Sequence, residues 1–354
     1  MSTIHFLNVR EGDCTWIQHD SNRNTVIDIS NGNDVDNLTD DEIDDKLDEF
    51  LEIEDLVEST EAAVLGNFGQ KNHPVDPIKY IKQFLHNKTI FRFILTHPDM
   101  DHMDGIKALF ESEYKPCNFW DTNNNKKLDA SGDFGRYSVD DWKFYDEHLH
   151  VQKLEDVTFL KLHAGQGGKF YNQDNDSGEG FGDRIEILSP SKKTEDVVEQ
   201  SENINDISYV LLMKTGGGRK ILFCGDTEED AWTEILKHYR DKVSNVDVLF
   251  PPHHGRESGG NDNFLDVLKP KITIFGNAKS GYLDYDAWNS RRLLHFTNNQ
   301  IGSVVLNEVN GKFEVWATGK KFIAKWRTKM GRSHSTEDTL YPHDKYPVWF
   351  LTSI

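Results

Sequence analysis

The sequence predicts an α+β chain built as an αββα sandwich, with two mixed β-sheets packed face to face and helices outside. Three observations lead there. Apolar, β-leaning segments occur in both halves of the chain with helical segments between them. Three of those segments end abruptly at histidine or aspartate residues. Hydrophobic residues make up 36% of the 354 positions, which is enough to fill a core and argues against global disorder.

Ile4 to Val9, Thr15 to Gln18 and Thr25 to Ile29 read as strands, with a hairpin turn at Ser21-Asn22-Arg23-Asn24. Asp28 closes the second hairpin strand ahead of Asn31-Gly32-Asn33. Residues 34–61 are very acidic, and Leu38, Ile43, Leu47, Phe50, Leu51 and Leu56 recur at helical spacing behind Thr39 as N-cap. A solvated amphipathic helix accounts for them; a partner-docking helix or a mimic of nucleic-acid charge is the sharper alternative. A second helix runs from Pro77 to about His86, followed by a buried strand from Ile90 to Leu95 and a short helix from Ile106 to Phe110.

Residues 115–183 are a polar, loop-rich insertion holding a helix near Val139 to His148 and a strand from Val157 to Leu162. Later strands are expected at Arg184 to Leu188, Ile207 to Lys214, Lys220 to Cys224, Val246 to Phe250, Ile272 to Phe275, Ser303 to Leu306 and Lys312 to Ala317. Helices fit Glu228 to Tyr239 and Asn263 to Leu268. Residues 320–354 match no pattern, and the chain reads as one domain, 1–354, with insertions at about 34–61 and 115–183 and that extension at its end.

A formal net charge of −20 excludes a bulk DNA-coating protein, although metal ions or a local basic patch could still hold an anion. Cys14, Cys117 and Cys224 are far apart and form no CxxC pair, so neither a disulfide framework nor a thiolate zinc site is expected. No apolar run approaches the roughly 20 residues a membrane span needs. The opening MSTIHFLNVREGDC lacks a basic patch followed by an apolar stretch. A cytoplasmic protein with no membrane part is the expectation.

The chemistry concentrates at His97-Pro98-Asp99-Met100-Asp101-His102, directly after a buried strand. Imidazole and carboxylate are ligands for Zn²⁺ or Mn²⁺, and a strand end is a rigid platform for them. Two more apolar strands share the design. Ile221-Leu222-Phe223-Cys224 delivers Gly225-Asp226, and Val246 to Phe250 delivers Pro251-Pro252-His253-His254-Gly255. Alone, a Gly-Asp is a turn and a His-His a surface pair; three strand ends together suggest one site.

Thr96-His97-x-x-x-Asp101-His102-x-x-Gly105 resembles the signature of metallo-β-lactamase-fold hydrolases. The fuller set is similar to the hydrolase domain of ComEC-type DNA-internalisation competence proteins. That set is His97-Pro98-Asp99-x-Asp101-His102, Gly225-Asp226 and Pro252-His253-His254-Gly255, with Phe6-Leu7-Asn8-Val9-x-x-Gly12-Asp13-Cys14, Val26-Ile27-Asp28-Ile29 and Asn205-Asp206-Ile207-Ser208-Tyr209-Val210. The matches span residues 4 to about 275, and the membrane-spanning parts of those proteins have no counterpart here.

The resemblance implies the metallo-β-lactamase fold and two adjacent divalent metals, Zn or Mn. His97 and Asp99 would serve the first, Asp101 and His102 the second with one of His253 and His254, and Asp226 would bridge. His254 is preferred as ligand, leaving His253 as phosphate contact or proton donor. Asp101 would also orient the attacking water, and Asp28 and Asp13 would steady the metal loop from behind. Asp99 departs from the family pattern, where many members have histidine, which tilts the site toward Mn²⁺. The usual third histidine is missing between 188 and 207; Ser189, Asn205, Asp206 or Ser208 could replace it, or His163 from the preceding strand.

Two metals at about 3.5–4 Å would lower the pKa of water and clamp the oxygens of a displacement. No GxSxG or P-loop offers another nucleophile. The ComEC-like motifs imply phosphodiester cleavage in a nucleic acid or nucleotide. Ser208, Arg256 and Lys279, near the site strands, are the candidate substrate contacts. Arg291-Arg292 with His295-Phe296 is either part of a nucleic-acid groove or a basic turn of a surface helix. The charge predicts short substrates or recruitment by a partner protein. Some stand-alone relatives are nuclease-like antiphage effectors, a context and not a reading of these residues. A carboxyl-ester, lactone or thioester hydrolase on the same fold, and a binding module that keeps the fold without the chemistry, are the alternatives.

Overall fold

The computed structural model describes residues 2–30, 68–85, 89–192, 204–257, 262–278, 282–330 and 348–354. Fifteen strands among them form two mixed sheets. They are β1 (Thr3–Phe6), β2 (Thr15–Gln18), β3 (Asn24–Ile27), β4 (Arg92–Ile94), β5 (Asn118–Trp120), β6 (Thr158–Leu160), β7 (Ile185–Ser189), β8 (Val210–Lys214), β9 (Lys220–Phe223), β10 (Val248–Phe250), β11 (Ile272–Phe275), β12 (His295–Thr297), β13 (Val304–Val309), β14 (Lys312–Ala317) and β15 (Trp349–Ser353). The larger sheet runs β15-β14-β13-β1-β2-β3-β4-β5-β6 and the smaller β12-β11-β10-β9-β8-β7.

Alternation along the strands explains the layers. Ile4, Phe6, Ile17, Ile27, Ile94 and Trp120 share one apolar core with Leu211, Met213, Ile221, Phe223, Val248 and Phe250 of the other sheet. Their neighbours point the other way. Trp16, Val26, Phe93 and Phe119 pack outward against helix α1 (Pro77–Leu85) and the segments around α2 (Met100–Met103), α3 (Ile106–Glu111) and α4 (Val139–Phe144). Val210, Leu212, Leu222 and Leu249 pack outward against α5 (Glu229–Val243), α6 (Leu265–Leu268) and α7 (Tyr285–Ser290). The expected αββα order is present.

Strand direction then places the site. β3, β4, β5 and β6 are mutually parallel, so Asp28, Thr96 and Asp121 leave the sheet at one end. β9, β10 and β11 are parallel in the other sheet, so Asp226 and His253 leave their strands together.

Several elements differ from expectation. The predicted strand 207–214 opens as a 3-10 turn over Asn205–Ile207, and the ladder begins only at Val210. The helix expected to end near Tyr239 continues to Val243 through a non-helical Tyr239. The helix predicted at 263–268 is a 3-10 turn, Asp262–Phe264, followed by α6. The unassigned tail contributes helix α9 (Lys320–Lys329), numbered after α8 (Asn298–Ile301), and β15 on the edge of the large sheet beside β14. The acidic segment 34–61, expected to be helical, lies outside the described residues. No described helix is long and apolar enough to cross a membrane.

Away from the strand ends that gather histidines, a buried ion cluster ties the sheets. Arg92 is 1% exposed, and its guanidinium meets the Asp183 carboxylate at 2.7 Å; Arg23 meets the same carboxylate at 2.8 Å. Burial pulls the Arg92 pKa down to about 10, against the raising effect of Asp183. Asp183→Ala therefore strands a buried cation, and urea denaturation should show a loss of about 3–5 kcal/mol. His19 is fully buried beside Thr25, and burial lowers its pKa to about 3. The unfolded histidine takes up a proton near pH 6.5 while the folded one does not, so His19 costs stability as pH falls from 6.5 toward 3, by about 1.4 kcal/mol per unit. His19→Gln should flatten the acid limb of a stability profile by that slope relative to the parent chain.

Candidate metal centre

The parallel pair β3–β4 sets the first half of the centre. Asp28 follows β3 with a left-handed φ of 54° and turns its carboxylate onto the neighbouring strand end. Its Oδ1 accepts the Thr96 N–H at 2.7 Å and its Oδ2 the Thr96 hydroxyl at 2.7 Å. His102 Nδ1 lies 2.9 Å from the same Oδ2, and a proton on that nitrogen leaves Nε2 free to face the centre. Chain reversal at α2 brings this about, since Ile29 N–H donates to the His102 carbonyl at 2.9 Å.

The parallel pair β9–β10 supplies the second half. Asp226 is 3% exposed and lies among imidazoles from both other strand ends. Its Oδ1 is 3.1 Å from His102 Nε2 and 3.8 Å from His254 Nε2. Its Oδ2 is 3.8 Å from His97 Nε2 and 3.6 Å from His253 Nε2. His254 Nε2 is 3.2 Å from Asp101 Oδ2, and its Nδ1 is 3.1 Å from Asp13 Oδ1. His253 and His254 both sit at positive φ, 52° and 58°, and the His253 N–H is tied to the Gly225 carbonyl at 2.9 Å. Backbone strain of this kind persists where the surroundings hold it.

Two glycines allow the approach. A Cβ on Gly12, whose φ is 93°, would lie 1.8 Å from the Asp101 carbonyl oxygen. One on Gly276 would lie 2.3 Å from Asp13 Oδ1 and 3.0 Å from His254 Nδ1. A side chain at Gly12 would push the opening loop off Asp101, and one at Gly276 would push against the Asp13–His254 pair.

The donor set fits divalent cations. His97, His102 and Asp226 form one group, and Asp101, His102 and His254 a second; within each, one ligand atom per residue lies within 4.8 Å of the others. His97 Nε2 is buried without a hydrogen-bond partner, and His102 Nε2 and Asp226 Oδ1 are buried facing each other at 3.1 Å. Unpaired buried polar atoms are costly, and cations on the two sides of Asp226 would satisfy them. Electrostatics point the same way. Burial opposes charge on His102 and His254, but the surrounding carboxylates overcome it. Asp226 and Asp28 hold His102 well above the usual imidazole range, and Asp13 and Asp226 hold His254 at about 10. Against their own burial, Asp101 and Asp226 are held below the usual carboxylate range by these imidazoles. Burial keeps His97 and His253 low and therefore neutral.

The structure thus brings His97, Asp101, His102, Asp226, His253 and His254 together, with Asp28 and Asp13 behind them. Asp99 Oδ2 is 3.8 Å from His97 Nε2, and its Oδ1 binds the ammonium of Lys126. Nothing in the sequence reading singled out Lys126. The available signal was a basic pair, Lys126-Lys127, in a polar loop directly after a strand adjacent to β4.

Of the stand-ins for a third histidine, Ser208 reaches the centre, its Oγ accepting the Asp226 N–H at 3.3 Å. Asn205 turns to Glu228 at 3.1 Å and Asp206 to the Ala231 N–H at 3.4 Å, both at the start of α5. His163 lines a separate cavity of about 760 Å³ with Lys161, Lys192 and His238. Arg256 follows His254 closely enough for its charge to depress His253. Arg291 pairs with Asp266 at 2.8 Å, as a surface turn would. Lys279 lies outside the described residues.

No family model and no curated protein matches the sequence. Solved structures show a loose likeness. An isothiocyanate hydrolase from Delia radicum gut bacteria is 10% identical, with 84% of this chain and 96% of that one covered at a TM-score of 0.40. A possible metal-dependent hydrolase from Veillonella parvula is 11% identical, with 84% and 96% covered at 0.40. Unliganded yeast PDE1 is 10% identical, with 84% and 80% covered at 0.33.

Asp28→Ala should release His102 from its fixed orientation and lower Mn²⁺ or Zn²⁺ affinity by about 10- to 100-fold in chelator competition, with the near-UV spectrum retained. Unchanged affinity would show that the Asp28–His102 contact does not orient a ligand.

Proposed function

We propose that the chain is a metal-dependent hydrolase of the metallo-β-lactamase type that cleaves phosphodiesters in a nucleic acid or nucleotide, as the ComEC-like motif set implies. The observation that carries the reading is the position of Asp226. One carboxylate faces His102 and His254 with one oxygen and His97 and His253 with the other. That arrangement suits a bridge between two cations. His97 and Asp99 would hold one cation, and Asp101, His102 and His254 the other. Divalent ions there would acidify water and withdraw charge from substrate oxygens. Three carboxylates in the set favour a hard ion, so Mn²⁺ is the preferred choice and Zn²⁺ the second.

The chain's own residues do the positioning. Asp101 faces His254 with one oxygen and can hold the attacking water with the other. His253 has 21% of its side chain exposed, so it stands at the open edge. Burial lowers its pKa below the usual imidazole value, so the ring is neutral near pH 7. A neutral imidazole offers one N–H, which makes contact with a phosphoryl oxygen the better of its two expected roles. Ser208 and Asp13 fix the ligand residues Asp226 and His254.

The test is metal analysis of the purified protein followed by hydrolysis of bis-p-nitrophenyl phosphate against a lactone and thioester panel, with Mn²⁺ and with Zn²⁺. Stoichiometric metal and a preference for the phosphodiester are expected. A preference for the lactone or thioester would overturn the substrate, and absence of bound metal would leave a binding module. Asp101→Ala and Asp226→Ala should each abolish turnover with the far-UV spectrum intact; full turnover in either would refute the role given to that residue.

A further inference from the structure

We propose that Lys126 is the substrate-anion contact of this centre, reaching it from a loop that is built to hold it there. The inference rests on the phosphodiesterase reading only for the identity of its ligand, an anionic phosphoryl oxygen.

Lys126 lies in the loop that follows β5, the parallel neighbour of β4, and its side chain is 14% exposed. Among the described residues its ammonium has Asp99 Oδ1 as partner, on a carboxylate whose other oxygen looks toward His97. An ammonium carries three N–H donors, and one carboxylate oxygen takes one of them. Asp99 is itself 35% exposed along its side chain, so the pair marks the open rim of the ligand cluster.

The loop is fixed at several points. Asn124 Nδ2 donates to Asp121 Oδ1 at 3.2 Å and to the Tyr145 hydroxyl at 2.9 Å, and Asn124 Oδ1 accepts the Lys126 N–H at 3.2 Å. Asp121 and Tyr145 are buried, and the Tyr145 hydroxyl reaches both Asp121 oxygens, at 3.2 and 3.0 Å. Tyr209 ties the same turn from the other sheet by donating to the Asp121 carbonyl at 2.7 Å. A lysine held only for solubility needs no such support.

Charge gives the purpose. Asp13, Asp28, Asp99, Asp101 and Asp226 all surround the centre in a chain of net charge −20, a field that repels an approaching phosphate. Metal ions held by these residues would offset the charge inside the cluster. Lys126 supplies a positive group on its open side, where substrate oxygens that contact no metal must lie. The aromatic and acidic alternatives on that loop, such as Tyr137 and Asp129, offer no cation, and Arg136 is engaged by Glu11 at 3.2 Å.

The experiment is calorimetric titration of the full-length Mn²⁺-loaded protein with inorganic phosphate, for the parent, Lys126→Met and Lys126→Arg, with Mn²⁺ affinity measured in parallel. Lys126→Met should bind phosphate about ten- to hundredfold more weakly and Mn²⁺ at least as tightly, and Lys126→Arg should restore most of the phosphate affinity. A purely structural pairing of Lys126 with Asp99 gives the opposite split, with Mn²⁺ affinity falling and phosphate affinity following only as metal is lost. That split, a Lys126→Met protein that binds phosphate as the parent does, or a parent that binds none overturns the proposal. Bis-p-nitrophenyl phosphate assays on the same samples separate the two claims. Cleavage with no effect of Lys126 on phosphate binding sinks the contact alone, and lysine-dependent phosphate binding without cleavage sinks the phosphodiesterase reading alone.

Discussion

The Asp226 carboxylate is the constraint on which the rest depends. It is fully enclosed, and its neighbours are imidazoles delivered from strand ends of both sheets. An anion removed from water is stable only if opposite charge is held close to it. His102 and His254 serve as that charge here, and each is itself backed by a second carboxylate, Asp28 or Asp13. The result is an alternating shell of acid and imidazole in which no member can be removed without leaving another uncompensated. Such a shell is a poor way to hold two sheets together, since apolar side chains of similar volume do so at lower cost. Under the proposed reading it persists because it binds ions, and the orphaned Nε2 of His97 is the mark of that.

Topology explains how so short a set of residues suffices. Parallel pairing within β3–β6 and within β9–β12 sends the ends of β3, β4, β9 and β10 toward one place, and the sandwich core between the sheets sets their spacing. Each strand is only three or four residues long, so the following loop starts from a rigid point. Gly12 and Gly276 then remove the side chains that would keep the opening loop and the β11 end apart from Asp101 and His254.

Much of this was legible in the sequence because the signals are local. Apolar runs such as Ile221-Leu222-Phe223 followed by Gly225-Asp226 state both a strand and its ligand within a few residues. The alternation of β1 and β2 also marks two buried faces. What was not legible depends on distant partners. Arg92 looks misplaced in an apolar strand until Asp183 is found beside it, ninety-one residues later (183 − 92). β15 joins β14 across a segment outside the described residues, and nothing in Trp349–Ser353 announces its partner. The 3-10 turn before β8 hides in a continuous β-like run because Asp206 is spent capping α5. Lys126 was missed for the same reason, since its place at Asp99 is set by Asn124, Tyr145 and Tyr209 rather than by its immediate neighbours.

The most direct measurement is anomalous scattering at the manganese edge from crystals of the protein grown with Mn²⁺. The account predicts two peaks flanking Asp226, one beside His97 and one among Asp101, His102 and His254. Density confined to other carboxylates, or none near Asp226 at saturating metal, would contradict it.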